Sequence, residues 1–167
     1  MKFSEYAPDH KEECLAIFDN NTSLFFAIQE KETFYGFLNK LTPPYHYYIV
    51  RDTSKQIVAC GGVKFETSNH FAMLRWDMVA SQFHNQNIGT FLTLSRLFFI
   101  SQNPDVQMVN LHTSQHTYQF YERLGFVAQH VTPNGIVEGM DEYYMELKFS
   151  KEIIQKLKSF AEQESLA

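Results

Sequence analysis

The segment Val79-Ala80-Ser81-Gln82-Phe83-His84-Asn85-Gln86-Asn87-Ile88-Gly89-Thr90 is the part of the chain best suited to chemistry. An apolar, strand-like run ends, a polar loop follows, and a helical pattern begins at Ile88. A helix start exposes backbone N–H groups that have no partner inside the helix. It also carries about half a positive charge, so it suits a pyrophosphate. Gly89 lets backbone come close to such a group. The same pattern also fits a plain polar loop capping a core helix. About 30 residues further on stands Thr113-Ser114-Gln115-His116-Thr117-Tyr118-Gln119-Phe120-Tyr121-Glu122-Arg123-Leu124-Gly125-Phe126. It too follows a strand, and its short helix stops at Gly125 in a left-handed cap. Read alone, it is equally core packing and a helix stop.

These segments need a frame. Residues 1–6 read as a strand. A helix begins near Pro8, with Leu15, Ile17 and Phe18 on its buried side, and Asn20-Asn21-Thr22 stops it. A second helix is expected over 24–41, ended by Thr42-Pro43-Pro44. Residues 45–51 and 56–66 read as strands joined by the turn Asp52-Thr53-Ser54-Lys55. Gly61-Gly62 marks a bulge or a close approach by another backbone. Residues 69–80 form the next strand, and 88–102 a helix with Ile88, Phe91, Leu92, Ser95, Phe98 and Phe99 on one face. A strand at 106–111, a helix at 116–124 and a strand at 126–132 follow. Pro133-Asn134-Gly135 is expected to turn into a last strand, 141–149. The tail, 151–167, is an amphipathic helix with Ile153, Ile154, Leu157 and Phe160 on one side. This order predicts an α/β fold: a mixed sheet with helices on both faces.

The two chemical segments, in this order and spacing, resemble the central motifs of the GCN5-related N-acetyltransferase (GNAT) superfamily. That family's first motif reads Val-x-Pro-x-Tyr-Arg-Gly-x-Gly-x-Gly and is matched by Val79 to Gly89. Its second reads Asn-x-x-Ala-x-x-Phe/Leu-Tyr-Glu-Lys-x-Gly-Phe and is matched by Ser114, Thr117, Phe120, Tyr121, Glu122, Arg123, Gly125 and Phe126. The resemblance spans residues 1 to about 149 and implies a sheet of about seven strands. The tail helix, 150–167, lies outside it, either packed on the same domain or forming a homodimer contact. His84 stands where Arg or Gln is usual, Asn87 where Gly is usual, and Ser114 where Asn is usual. Asn tolerates a left-handed backbone best among non-glycine residues, so the loop can still form. Without the usual Arg, the phosphates rely more on backbone donors.

The resemblance implies acetyl-CoA as acyl donor and a primary amine of a small molecule or peptide as acceptor. Its binding residues would be Met78, Val79, Ala80, His84, Asn85, Gln86, Asn87, Ile88, Gly89, Thr90, Ser114, Tyr121 and Arg123. The pantetheine arm would lie along 78–80 like an added strand, and a backbone N–H, that of Val79, would stabilise the oxyanion of a tetrahedral intermediate. Tyr121 is the expected acid for the departing thiolate. Asp77 is the first candidate base, on the premise that 75, 77 and 79 share one strand face. Pairing of Asp77 with Arg75 is the competing reading. Glu66, His112, His116 or a water chain are further base candidates. Phe25, Phe26, Phe34, Tyr35, Tyr45, Tyr47 and Trp76 are the aromatic candidates for an acceptor pocket that favours an amine with an apolar body. A CoA-binding sensor with little catalysis is the alternative function.

Composition narrows the classes. The chain has 167 residues, enough for one domain with a sizeable core, and a net charge of −5. An acidic balance argues against nucleic acid, which needs a basic stripe, and mildly favours cationic partners. Cys14 and Cys60 are the only cysteines. They indicate neither a disulfide framework nor a metal site. With no signal-like or membrane-length apolar run, the expectation is a soluble cytoplasmic protein that binds no membrane and no metal.

Overall fold

The computed structural model describes residues 1–22 and 25–166. Seven strands form one sheet: β1 (Lys2–Glu5), β2 (Tyr45–Arg51), β3 (Ile57–Glu66), β4 (Phe71–Val79), β5 (Met108–Ser114), β6 (Val127–Val137) and β7 (Met140–Lys148). Their order is β1-β2-β3-β4-β5-β7-β6. Every neighbouring pair is antiparallel except β4 and β5. Among the described residues, five α-helices complete the fold: α1 (Lys11–Asn21), α2 (Glu30–Asn39), α3 (Ile88–Ser101), α4 (Tyr118–Arg123) and α5 (Lys151–Glu164).

Helices cover both faces, as the element order predicts. Cys14, Ile17 and Phe18 of α1 and Phe34 and Leu38 of α2 pack on Tyr47, Ile49, Cys60 and Met78. On the other face, Leu97 and Ile100 of α3, Tyr121 of α4 and Leu157 of α5 pack on Val63, Leu74, Val109, Leu111 and Leu147. The tail helix therefore lies on its own chain. Ser150 caps it by accepting from the Ile153 amide at 3.2 Å, and Leu157 and Ala161 are buried. Phe160 meets the Phe91 ring edge-on at 5.9 Å.

Several boundaries differ from expectation, and four of them bear on the site or the sheet edge. The second helix starts at Glu30, and Leu24, the expected start, lies outside the described residues. The Glu30 carboxylate accepts from the Ala27 amide at 2.8 Å, while the Glu30 amide bonds the Ala27 carbonyl at 3.0 Å. This reciprocal pair sets the helix start there. β5 runs two residues later at its start and three at its end than expected, so it reaches Ser114. α4 begins at Tyr118 rather than 116. Pro133-Asn134-Gly135 does not reverse the chain but bulges inside β6, and the hairpin closes at Glu138-Gly139. Asn134 adopts φ 54°, its side-chain oxygen accepts from the Gly139 amide at 2.6 Å, and its own amide donates to Asp141 at 2.9 Å. Those bonds hold the kink within the ladder.

Two features open the sheet. β4 and β5 pair over only three positions, Phe71–Met108, Ala72–Val109 and Met73–Asn110, and then part. Within β4, Trp76 has φ 55° and the register against β3 slips between Cys60 and Gly62. The bulge sits on β4, opposite Gly61. Leu74 faces the α3 core and Trp76 and Met78 face α1, while Asp77 turns back toward α3. Arg75 and Asp77 thus do not share a face, because the extra residue breaks the alternation.

Candidate active site

The parted strands and the start of α3 enclose a cleft of about 700 Å³. Eleven of the residues expected to bind the donor line it: Met78, Val79, His84, Asn85, Asn87, Ile88, Gly89, Thr90, Ser114, Tyr121 and Arg123. Ala80 and Gln86 do not. Ala80 is buried, and its amide donates to the Val58 carbonyl of β3 at 2.9 Å, away from the opening. Gln86 points outward, its side chain donating to the Gln82 carbonyl at 3.3 Å.

The loop before α3 is shaped by two asparagines. Asn85 and Asn87 have φ 62° and 60°, the left-handed region where Asn costs least after Gly. Asn87 is the N-cap residue, and the first helical bond runs from the Phe91 amide to its carbonyl at 3.0 Å. The amides of Ile88, Gly89 and Thr90 precede that bond, and no side chain among the described residues caps them. They form a cradle of donors with the positive end of the α3 dipole behind it, which fits a pyrophosphate. Gly89 is open toward the cleft: an added Cβ would only touch Phe120 at 3.5 Å and Val79 at 3.6 Å.

Along β4, Ala80 bonds β3, so antiparallel alternation turns the amide and carbonyl of Val79 toward the gap. The Val79 carbonyl already accepts from Asn21 Nδ2 at 2.9 Å and His84 Nε2 at 2.9 Å. Among the described residues, no partner engages its amide. His84, standing in place of the usual Arg, thus ties the loop to the strand.

Beneath the split lies a buried ionic network. The Asp77 carboxylate accepts from both terminal nitrogens of Arg96, Nη2 to Oδ2 at 2.7 Å, and from the Tyr121 hydroxyl at 2.9 Å. Arg96 is fully buried, and its remaining donors reach the Leu92 carbonyl at 3.2 Å and the Gly62 carbonyl at 3.1 Å. Burial is the largest single influence on the Arg96 guanidinium and pushes it toward its neutral form, but the charge and hydrogen bonds of Asp77, with Tyr121 and Tyr47 nearby, together outweigh it, so the pKa rises. Burial, with the Asp77 charge second, lifts the Tyr121 hydroxyl well above its usual range. A Cβ on Gly61 would lie 2.7 Å from Arg96 Nη1, so the glycine makes room for the guanidinium. Arg75, the partner in the competing reading of Asp77, is exposed instead. Sequence reasoning missed Arg96, although it is the single charged residue in the α3 run.

On the opposite side of the split, His112 Nδ1 lies 3.2 Å from Glu142 Oε2, and both line the cleft. His116, Phe25, Phe26 and Trp76 also line it. Phe34 and Tyr47 are core, and Tyr35 and Tyr45 lie outside the cleft wall. Glu66 is also outside the wall and pairs with Lys64.

Likeness to known proteins agrees with this geometry. The chain superposes on an aminoglycoside 6'-N-acetyltransferase complexed with coenzyme A at 17% identity and TM-score 0.71, covering 89% of this chain and 97% of that one. A mutant spermidine N-acetyltransferase from Vibrio cholerae gives 13%, 0.72, 89% and 95% in the same order. A ribosomal-protein-alanine N-acetyltransferase from Brucella melitensis gives 14%, 0.72, 89% and 100%. At such identity these establish the fold, a seven-stranded mixed sheet flanked by helices. No curated protein sequence matches the chain. The family model described as the acetyltransferase (GNAT) domain matches residues 6–149, from just after β1 through the end of β7, and the chain accordingly belongs to the GNAT acetyltransferase family.

Proposed function

We propose that this GNAT-family enzyme moves an acetyl group from acetyl-CoA to a primary amine of a small molecule or peptide, by direct attack on the thioester. The observation that carries this reading is a pair of donor sites on one cleft, with no partner among the described residues: the Val79 amide in the split, and the Ile88, Gly89 and Thr90 amides at the α3 start. The helix amides would hold the pyrophosphate, and the β4 edge would align the pantetheine arm. Acetyl-CoA, when bound, supplies the activated acyl group. The Val79 amide would donate to the carbonyl oxygen as negative charge gathers there.

Tyr121 is the proposed acid for the leaving thiolate. Its hydroxyl rests on Asp77, and turning about the C–O bond brings its proton into the cleft. A phenol with a raised pKa is a weak acid toward a thiol of ordinary pKa near 8.5, so its contribution is about 10²-fold or less. Asp77, engaged by Arg96 and Tyr121, orients the hydroxyl rather than serving as the base. The aromatic wall of Phe25, Phe26 and Trp76 with Glu30 nearby suits an amine with an apolar body.

A second reading, a CoA-binding sensor with little catalysis, draws on the Val79 carbonyl, which Asn21 and His84 already occupy. One experiment separates the two. Calorimetry with acetyl-CoA is followed by free-thiol release with spermidine, 2-phenylethylamine, kanamycin and an alanyl peptide. Binding with thiol release on any of them supports the transferase. Binding without release on all four supports the sensor, and no binding removes both.

A further inference from the structure

Strand alternation gives the split two chemically different sides. Leu111 of β5 packs in the same core as Tyr121 and Leu97, on the α3 face. His112, the next residue, therefore projects from the opposite face. Directly across on β7 is Tyr144, whose ring lies 5.1 Å from the imidazole. Two residues before Tyr144, Glu142 shares its face and meets His112 Nδ1 at 3.2 Å. The other ring nitrogen, Nε2, has no partner among the described residues, and the ring is about half exposed, so water reaches it. Other candidate bases are less well placed. Asp77 is held by Arg96 and Tyr121, Glu66 lies outside the cleft, and His116 has no acidic partner among the described residues.

We propose that His112, oriented by Glu142, is the base that readies the acceptor amine, a role that rests on the transferase reading above. An alkylammonium has a pKa of about 10.4, so well under 1% is neutral at pH 7. Nε2 takes one proton from the ammonium, and the freed electron pair on nitrogen attacks the carbonyl carbon. The C–S bond breaks, its electron pair leaves on sulfur, and the sulfur takes the proton of Tyr121. The new amide nitrogen loses a second proton, which restores Tyr121 through solvent, while the exposed imidazole passes the first to bulk water. Acid and base thus stand on opposite faces of the sheet, with the reacting carbonyl between them.

Two measurements test this. Nitrogen-15 NMR of the whole protein reads the tautomer of neutral His112. The proton is expected on Nδ1, facing Glu142, and a proton on Nε2 overturns the assignment whatever the acceptor. Kinetics use whichever of the four amines above turns over. His112→Ala is expected to lower kcat by about 10², with acetyl-CoA affinity unchanged and activity partly restored by added imidazole. Glu142→Gln lowers it by several-fold and shifts the acid limb of the pH profile, and Glu142→Asp recovers part of the loss. The titratable or charged groups sharing this wall are Glu142 and Tyr144 on β7, Arg75 on β4, His116 beyond β5 and Glu30 at the start of α2. Near-native kcat in His112→Ala, or a loss that imidazole does not relieve while acetyl-CoA still binds, overturns the proposal. Failure of the wild type to bind acetyl-CoA removes the transferase reading itself.

Discussion

On the α3 side of the split, Asp77, Arg96 and Tyr121 interlock with the Arg96 and Tyr121 side chains almost wholly withdrawn from water. On the other side, His112 and Glu142 meet at 3.2 Å with 47% and 33% of their side-chain surface exposed. The buried set is over-determined: each charge is satisfied, and removing one member strands the others in a poor solvent. The exposed pair contributes little to stability, because water competes with each partner. One side of this enzyme thus fixes a hydroxyl in place, while the other leaves an imidazole open to water.

The contrast is broken most directly at Arg96. Arg96→Leu strands the Asp77 carboxylate, and urea unfolding should report a loss of about 3–5 kcal/mol. Replacing both residues with apolar ones of similar volume should recover most of that. Tyr121→Phe keeps the packing and removes the donor. Steady-state kinetics should show kcat falling about 10- to 100-fold with little change in the KM for acetyl-CoA. Asn87→Ala places a Cβ-bearing residue without local bonding at φ 60°. A cost of about 1–2 kcal/mol and weaker acetyl-CoA binding are expected, while Asn87→Gly should preserve both. Glu142→Ala should change unfolding free energy by less than about 1 kcal/mol while still slowing turnover, which sharpens the distinction between the two sides.

Tyrosines packed on both faces of the sheet also carry a pH signature. Burial raises the pKa of Tyr47, Tyr48 and Tyr121, and pushes Tyr6 up to about 12. In the unfolded chain these hydroxyls titrate near pH 10. Above that pH the unfolded state loses protons first, so stability should fall from about pH 10 upward. Equilibrium unfolding from pH 8 to 11 checks this, and the slope should be shallower in Tyr121→Phe.

Local signals made much of the site legible. The polar loop before Ile88, the tolerance of Asn87 for a left-handed backbone and the Gly125 cap at φ 96° all act within a few residues. Gly61-Gly62 signals a bulge or a close backbone approach; the register does slip there, but the group that comes close to Gly61 is the side chain of Arg96, 35 residues away. What stayed hidden was long-range or strained. Nothing near Trp76 signals a positive φ in a bulky aromatic residue, yet that one torsion turns Asp77 away from the face of Arg75. His112 was visible as a candidate, but its partner Glu142 comes from a strand 30 positions later. The Pro133-Asn134-Gly135 triplet misled because its turn chemistry is used to bend a strand rather than to end it.

The three rungs joining β4 to β5 have a mechanical consequence. The sheet is two leaves bound along a short spine at Phe71–Met73 and Met108–Asn110. Beyond it no ladder of hydrogen bonds resists a small rotation of one leaf against the other. Tyr121 rides with the β5 leaf through α4, and the cradle at the start of α3 rides with the β4 leaf. Opening the book by a few degrees would stretch the Tyr121–Asp77 hydrogen bond, which crosses from the β5 leaf to the β4 leaf.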